Sequence, residues 1–93
     1  MSNPSLRGLQ AFEAIGRCGS VSAAAEDLGV SPGAVSQLVR NLEQCLGLTL
    51  LERRGRRVEL SSWGRLYYRE VAKGFQQLSH AANVLTRARN ESG

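Results

Sequence analysis

Between Val21 and Leu38 the chain reads VSAAAEDLGVSPGAVSQL. This stretch constrains the fold more than any other. Ala25, Gly29, Val35 and Leu38 fall where two helices joined by a tight turn need a small residue, a turn glycine and two core apolars. A small Ala25 lets the second helix cross closely, and Gly29 supplies the positive φ that the turn demands. Ser31-Pro32 then opens the second helix of the pair. Proline drives its predecessor out of the α region, as an N-cap requires, and itself suits the first helical position. The spacing predicts a helix-turn-helix.

The flanking segments extend this unit in both directions. Asn3, Pro4 and Ser5 form the entry to a first helix, whose Leu6, Leu9, Phe12, Ile15 and Gly16 share one face. Cys18, Gly19 and Ser20 end it. A short second helix is expected from an N-cap at Ser22 to Leu28, with Ala24, Ala25 and Leu28 inward. In the third helix Val35, Leu38, Val39, Leu42, Cys45 and Leu46 form the buried stripe, and Gly47 stops it. Three helices thus fit into about 42 residues.

Beyond Gly47 the period changes. Leu48–Glu52 and Val58–Leu60 are short apolar segments around the run RRGRR, which predicts two strands and a basic turn, a β-wing. Ser61 caps a last helix. Along it Tyr68, Val71, Phe75, Leu78, Ala82 and Leu85 recur at alternating gaps of three and four, a heptad seam. Some 28 helical residues extend about 40 Å, too long for burial against so small a core. The free half either pairs with another chain or stays exposed and frays.

Size and charge narrow the function classes. Ninety-three residues make one small domain, and the composition, 42% hydrophobic and 22% charged, is that of a globular protein. Net charge is +4, which favours a polyanionic partner. Seven of the twelve basic residues lie between Arg53 and Lys73, and Arg53, Arg54, Arg56 and Arg57 form one cluster. No apolar stretch reaches membrane-spanning length, and the N-terminus has no secretory layout. Cys18 and Cys45 are too few for a disulfide scaffold or a metal cage, and read as reduced residues of a cytoplasmic protein. No phosphate loop, nucleophile elbow or paired-acid signature occurs, and His80 has no neighbour at ligand spacing. The chain is therefore read as a non-enzyme with no catalytic or metal-binding residues, no cofactor and no small-molecule ligand.

The partner that fits is double-stranded DNA, since the second helix of such a unit is the one presented to a major groove. Off the buried stripe of the third helix lie Gly33, Ser36, Gln37, Arg40, Asn41 and Gln44. The Gln37 amide can both donate to and accept from adenine. Ser36 suits a phosphate or a base edge, and Gly33 permits close backbone approach. Arg40, further along the helix, suits phosphate, as do Ser22, Ser31, Arg53, Arg54 and Arg57. Arg56, just past Gly55 at the wing tip, is the candidate for insertion into a minor groove. A rival reading treats the same fold as a protein-binding adaptor. RRGRR at the wing has no evident use in an adaptor.

The order of elements resembles the N-terminal DNA-binding domain of the LysR-type transcriptional regulators. The text carrying the resemblance is LRGLQAFEAIGRCGSVSAAAEDLGVS, then AVSQLVRNLEQCLGLTLLERRGRRVELS, then Gly64, and the resemblance covers Leu6 to about Leu85. The resemblance implies a mainly α winged helix-turn-helix over residues 1–61 and a linker helix over 62–90. It also implies a bacterial homodimer, joined through that helix, that binds pseudo-palindromic promoter sites. The third-helix base contacts map onto Pro32, Gly33, Ser36 and Gln37, and the minor-groove arginine onto Arg56. Three departures narrow the reading surface: Pro32-Gly33 replaces a frequent Gln-Pro, Gln37 a frequent arginine, and Leu38 a frequent glutamine. Relatives usually carry an effector-binding domain after the linker helix. A chain ending there is expected to be an excised domain or a regulator without a sensor.

Overall fold

The computed structural model describes residues 3–55 and 57–92. Its elements run α1 (Leu6–Cys18), α2 (Val21–Leu28), α3 (Pro32–Leu46), β1 (Leu51–Arg54), β2 (Arg57–Leu60) and α4 (Ser62–Ser92). This is the expected three-helix unit, two-stranded wing and long final helix.

Serine hydroxyls begin the first three helices by accepting an otherwise orphaned backbone N–H. Ser5 accepts from Gly8 at 3.0 Å, and Ser31 from Ala34 at 3.2 Å. The cap of α2 is Ser20, which accepts from Ala23 at 3.0 Å. The expected cap, Ser22, lies inside the helix. Two serines flank Val21, and the one directly after Gly19 has the extended backbone that a cap needs (φ −156°, ψ 156°). At the other end Gly29, at φ 69°, turns the chain so that its N–H and that of Val30 bond back to α2. An L side chain resists that conformation, so the turn between α2 and α3 depends on this glycine.

The core lies where α1, α2 and α3 meet. Phe12, Val35 and Leu50 are its largest fully buried side chains, joined by Ala11, Ala14, Ala24, Ala25, Val39 and Leu42. The alanines occupy the helix crossings, where small side chains let backbones approach. Phe12 also receives the start of α4: the Tyr67 and Tyr68 rings stand 5.6 and 6.2 Å from it, tilted and edge-on. Burial, and secondarily Cys45, holds the Tyr67 phenol above its ordinary range. Cys18 and Cys45 are both half-buried.

The first strand sits later than expected, at 51–54 instead of 48–52, and the second begins one residue earlier, at 57–60 instead of 58–60. The segment 48–50 is committed elsewhere. Leu48 N–H closes α3 on the Glu43 carbonyl, Leu50 N–H donates to the Glu43 carboxylate at 2.7 Å, and the Thr49 carbonyl accepts the Ser61 hydroxyl at 2.6 Å. The antiparallel ladder therefore forms between Leu51↔Leu60, Glu52↔Glu59, Arg53↔Val58 and Arg54↔Arg57. Most of the arginine run is strand, not loop.

Ser61 caps α4 as expected, accepting from Gly64 N–H at 2.9 Å. Gly64 lies against the Leu50 backbone so closely that a Cβ there would overlap the Leu50 carbonyl. From Gln76 onward every described residue of α4 is exposed. The longest dimension of the molecule is 54 Å. Among the described residues no helix is long and apolar enough to cross a membrane.

Candidate nucleic-acid interface

One face of the molecule gathers polar and basic groups from three elements. From α3, Pro32, Gly33, Gln37, Arg40, Asn41 and Gln44 are exposed, opposite the buried Val35, Val39 and Leu42. The 3.6-residue period of α3 thus separates the face that holds the fold from the face available to a ligand. Ser31, exposed at the head of the helix, has its oxygen engaged by Ala34 N–H but keeps its own hydroxyl proton to donate.

The wing packs beside this face. Strand alternation sends Leu51, Arg53, Val58 and Leu60 to one side of the ribbon and Glu52, Arg54, Arg57 and Glu59 to the other. Arg53 therefore shares the side that meets α3, in a cleft with Ser36, Arg40, Glu43 and Val58. A second cleft joins Ser20 and Ser22 at the start of α2 to Ser36, Arg53 and Arg57. Ser36 is half-buried and lines both clefts. Five of the sequence-selected residues, Ser22, Ser36, Arg40, Arg53 and Arg57, thereby line two clefts that share Ser36, Arg53 and Val58, with Arg57 joining the second from the outer side of the ribbon. Ser31 and Gln37 are exposed at the head and along the outer face of α3. Arg54 differs. It pairs with Glu59 at 3.2 Å on the outer side of the ribbon. Arg56 lies outside the described residues. Gly55, before it, takes φ 64° at the turn.

Two further residues shape this surface. Glu43 lines the cleft with Arg40 and Arg53, yet its carboxylate is occupied by the N–H groups of Leu50 and Leu51, at 2.7 and 3.2 Å. It ties α3 to the root of the wing, and so sets the distance between the two basic elements. Its only sequence signal is a carboxylate inside a stripe of apolar neighbours. Asn41 stands one turn after Gln37 and accepts from its amide Nε2 at 2.8 Å. The spacing of four residues between two carboxamides was visible in the sequence, but carried no assignment there.

Behind the face, Arg17 holds the end of α1 to α2. It donates to Asp27 at 2.9 Å and to Glu13 at 3.0 Å, and the two hydrogen bonds, Asp27's the stronger influence, drive its pKa further upward. The group is half-exposed, so this is a positioning contact more than a source of stability. Among the described residues no cluster of three or more His, Cys, Asp or Glu side chains could hold a metal ion.

The residues of the seam on α4 divide. Tyr68 is turned onto Phe12 and Gly16 of its own chain. Val71 and Phe75 are half-buried, and with Leu6, Leu9, Gly74 and Leu78 they border an apolar groove between α1 and α4. Ala82 is exposed, and Leu78 and Leu85 are 61% and 72% exposed.

Comparison with known proteins agrees with this architecture. Residues 6–65 match the family model described as bacterial regulatory helix-turn-helix protein, lysR family. The glycine cleavage system transcriptional activator of Escherichia coli (strain K12) is 39% identical over 90 residues, covering 97% of this chain and 29% of the relative. The regulator TrpI of Pseudomonas aeruginosa is 42% identical over 89 residues, covering 96% and 30%. The chain thus spans less than a third of the length of these relatives. Among solved structures, the BenM DNA-binding domain in complex with catB site 1 DNA superposes with a TM-score of 0.83 at 30% identity, covering 90% of this chain and 94% of that one. The chain belongs to the LysR family of bacterial regulatory helix-turn-helix proteins.

Proposed function

We propose that this chain is the DNA-reading part of a bacterial transcription regulator, binding double-stranded promoter DNA sequence-specifically as a homodimer. Helix α3, residues 32–46, lies in the major groove, with Pro32, Gly33, Ser36 and Gln37 toward the base edges. Arg40, Ser22, Ser31, Arg53, Arg54 and Arg57 meet the backbone, and Arg56 meets the minor groove. Residues 1–61 act as the DNA-binding domain and 62–90 as the linker helix. That helix pairs two copies through the exposed part of its seam, and Leu78, Ala82 and Leu85 contribute most. The protein is a non-enzyme of the cytoplasm in this reading.

The observation that carries the proposal is the convergence of the polar face of α3, the Arg53 side of the wing and the start of α2 on one surface. A major groove about 12 Å wide admits a helix while the neighbouring backbone meets flanking basic groups. The BenM complex supports the reading, because a chain of the same fold is there bound to DNA. Titration of a selected duplex and a random duplex tests it, at a salt concentration that weakens phosphate contacts. A preference for the selected duplex of at least about 1,000-fold is expected, and equal affinity for both contradicts sequence-specific reading.

A further inference from the structure

We infer that Asn41 sets the base preference of Gln37, making it read adenine in preference to guanine by occupying one of its two amide donors. The inference rests on the proposed role of Gln37 as a base contact. A glutamine carboxamide has two N–H donors and one acceptor oxygen. Here Nε2 donates to the Asn41 Oδ1 at 2.8 Å, one helical turn further along the same exposed face. That leaves one N–H and the Oε1 for a base edge.

That pair is the complement of adenine, whose major-groove edge offers the N7 acceptor and the N6 amino donor. Guanine offers two acceptors there, N7 and O6. With one donor held by Asn41, Gln37 would have to set its own oxygen against O6. A glutamine without this partner has both N–H groups available and tolerates guanine better. Asn41 is therefore a positioning residue: it acts through Gln37 and needs no contact with the base itself. Both side chains are exposed and neither supports the core, so substitutions here leave the fold intact.

The test uses the whole 93-residue chain. A randomised duplex library yields the preferred site, and Gln37→Ala identifies the base pair whose preference depends on Gln37. Affinities are then measured for duplexes carrying A·T or G·C at that pair. The wild type prefers adenine. Asn41→Ala reduces the A-over-G ratio about three- to ten-fold, the equivalent of one hydrogen bond, largely by binding the guanine duplex better. Asn41→Asp keeps the ratio, because a carboxylate still accepts from Nε2, although its charge weakens binding to both duplexes. In the Gln37→Ala background Asn41→Ala leaves the ratio unchanged. Equal weakening of both duplexes by Asn41→Ala overturns the inference, as does an effect that persists without Gln37, and either leaves the base contact of Gln37 standing. Selection of guanine at the pair also overturns it. A Gln37→Ala variant that relaxes no base pair removes the base contact and the inference together.

Discussion

Single residues on the recognition surface are separable by what they exchange with DNA. Gln37 offers hydrogen bonds to a base edge, so Gln37→Ala is expected to cost about 1–3 kcal/mol on the preferred site and little on random duplex, measured by paired titrations. Arg53 offers charge. Its position on the α3 side of the ribbon puts it beside Arg40 and Ser36, and Arg53→Ala should weaken every duplex and flatten the log–log salt dependence by about one unit per binding site. Glu59, paired with Arg54, predicts the opposite sign. Glu59→Gln removes a negative charge and releases an arginine, so binding to any duplex should strengthen and the salt dependence steepen. The sequence made the first two roles legible, since glutamine and arginine on an exposed face have few other uses. The Arg54–Glu59 pair was not legible, because the strand register that brings the two together depends on where the ladder begins.

At the scale of elements, the helices were readable because their signals are local. Ser5 and Ser31 sit at caps, Gly29 and Gly47 at ends, and the apolar period of α3 predicted Val35, Val39 and Leu42 as core. The cap of α2 was missed by two residues because Ser20 and Ser22 carry equal local signal, and only the backbone after Gly19 chooses between them. The wing boundaries were missed for a different reason. Leu48 to Leu50 look like strand, but their backbone groups are engaged by Glu43 and Ser61, contacts made across 5 to 12 residues. The Glu43 carboxylate is thus the hinge pin between α3 and β1. Glu43→Ala leaves the N–H groups of Leu50 and Leu51 without their acceptor, and should destabilise the fold by about 2 kcal/mol. The denaturant midpoint reads this directly. A midpoint unchanged from wild type would show that the carboxylate does not anchor the wing.

For the whole molecule, the long helix is the informative feature. Its first turns close the core through Gly64, Tyr67 and Tyr68, whereas every described residue after Phe75 is exposed. The heptad period was legible in the sequence. Its division was not, because Tyr68 fits the period equally well as an inward-facing ring or as a seam residue. In the proposed homodimer, Leu78→Glu places a charge in the middle of the apolar seam and should convert dimer to monomer at micromolar concentration, seen by sedimentation. A dimer that persists would assign association to another surface, such as the one exposing Trp63 and Leu66. Loss of the dimer also predicts weaker binding to a two-half-site duplex with little change on a single half-site.

The arrangement of α3, wing and second copy is tested most directly by chemical footprinting on the selected duplex. Two half-sites are expected, with centres separated by about 34 Å or a multiple of it. Each should show major-groove methylation interference flanked by protection of the neighbouring minor groove, and Arg56→Ala should abolish only the flanking protection. Uniform backbone protection without major-groove interference would contradict the account.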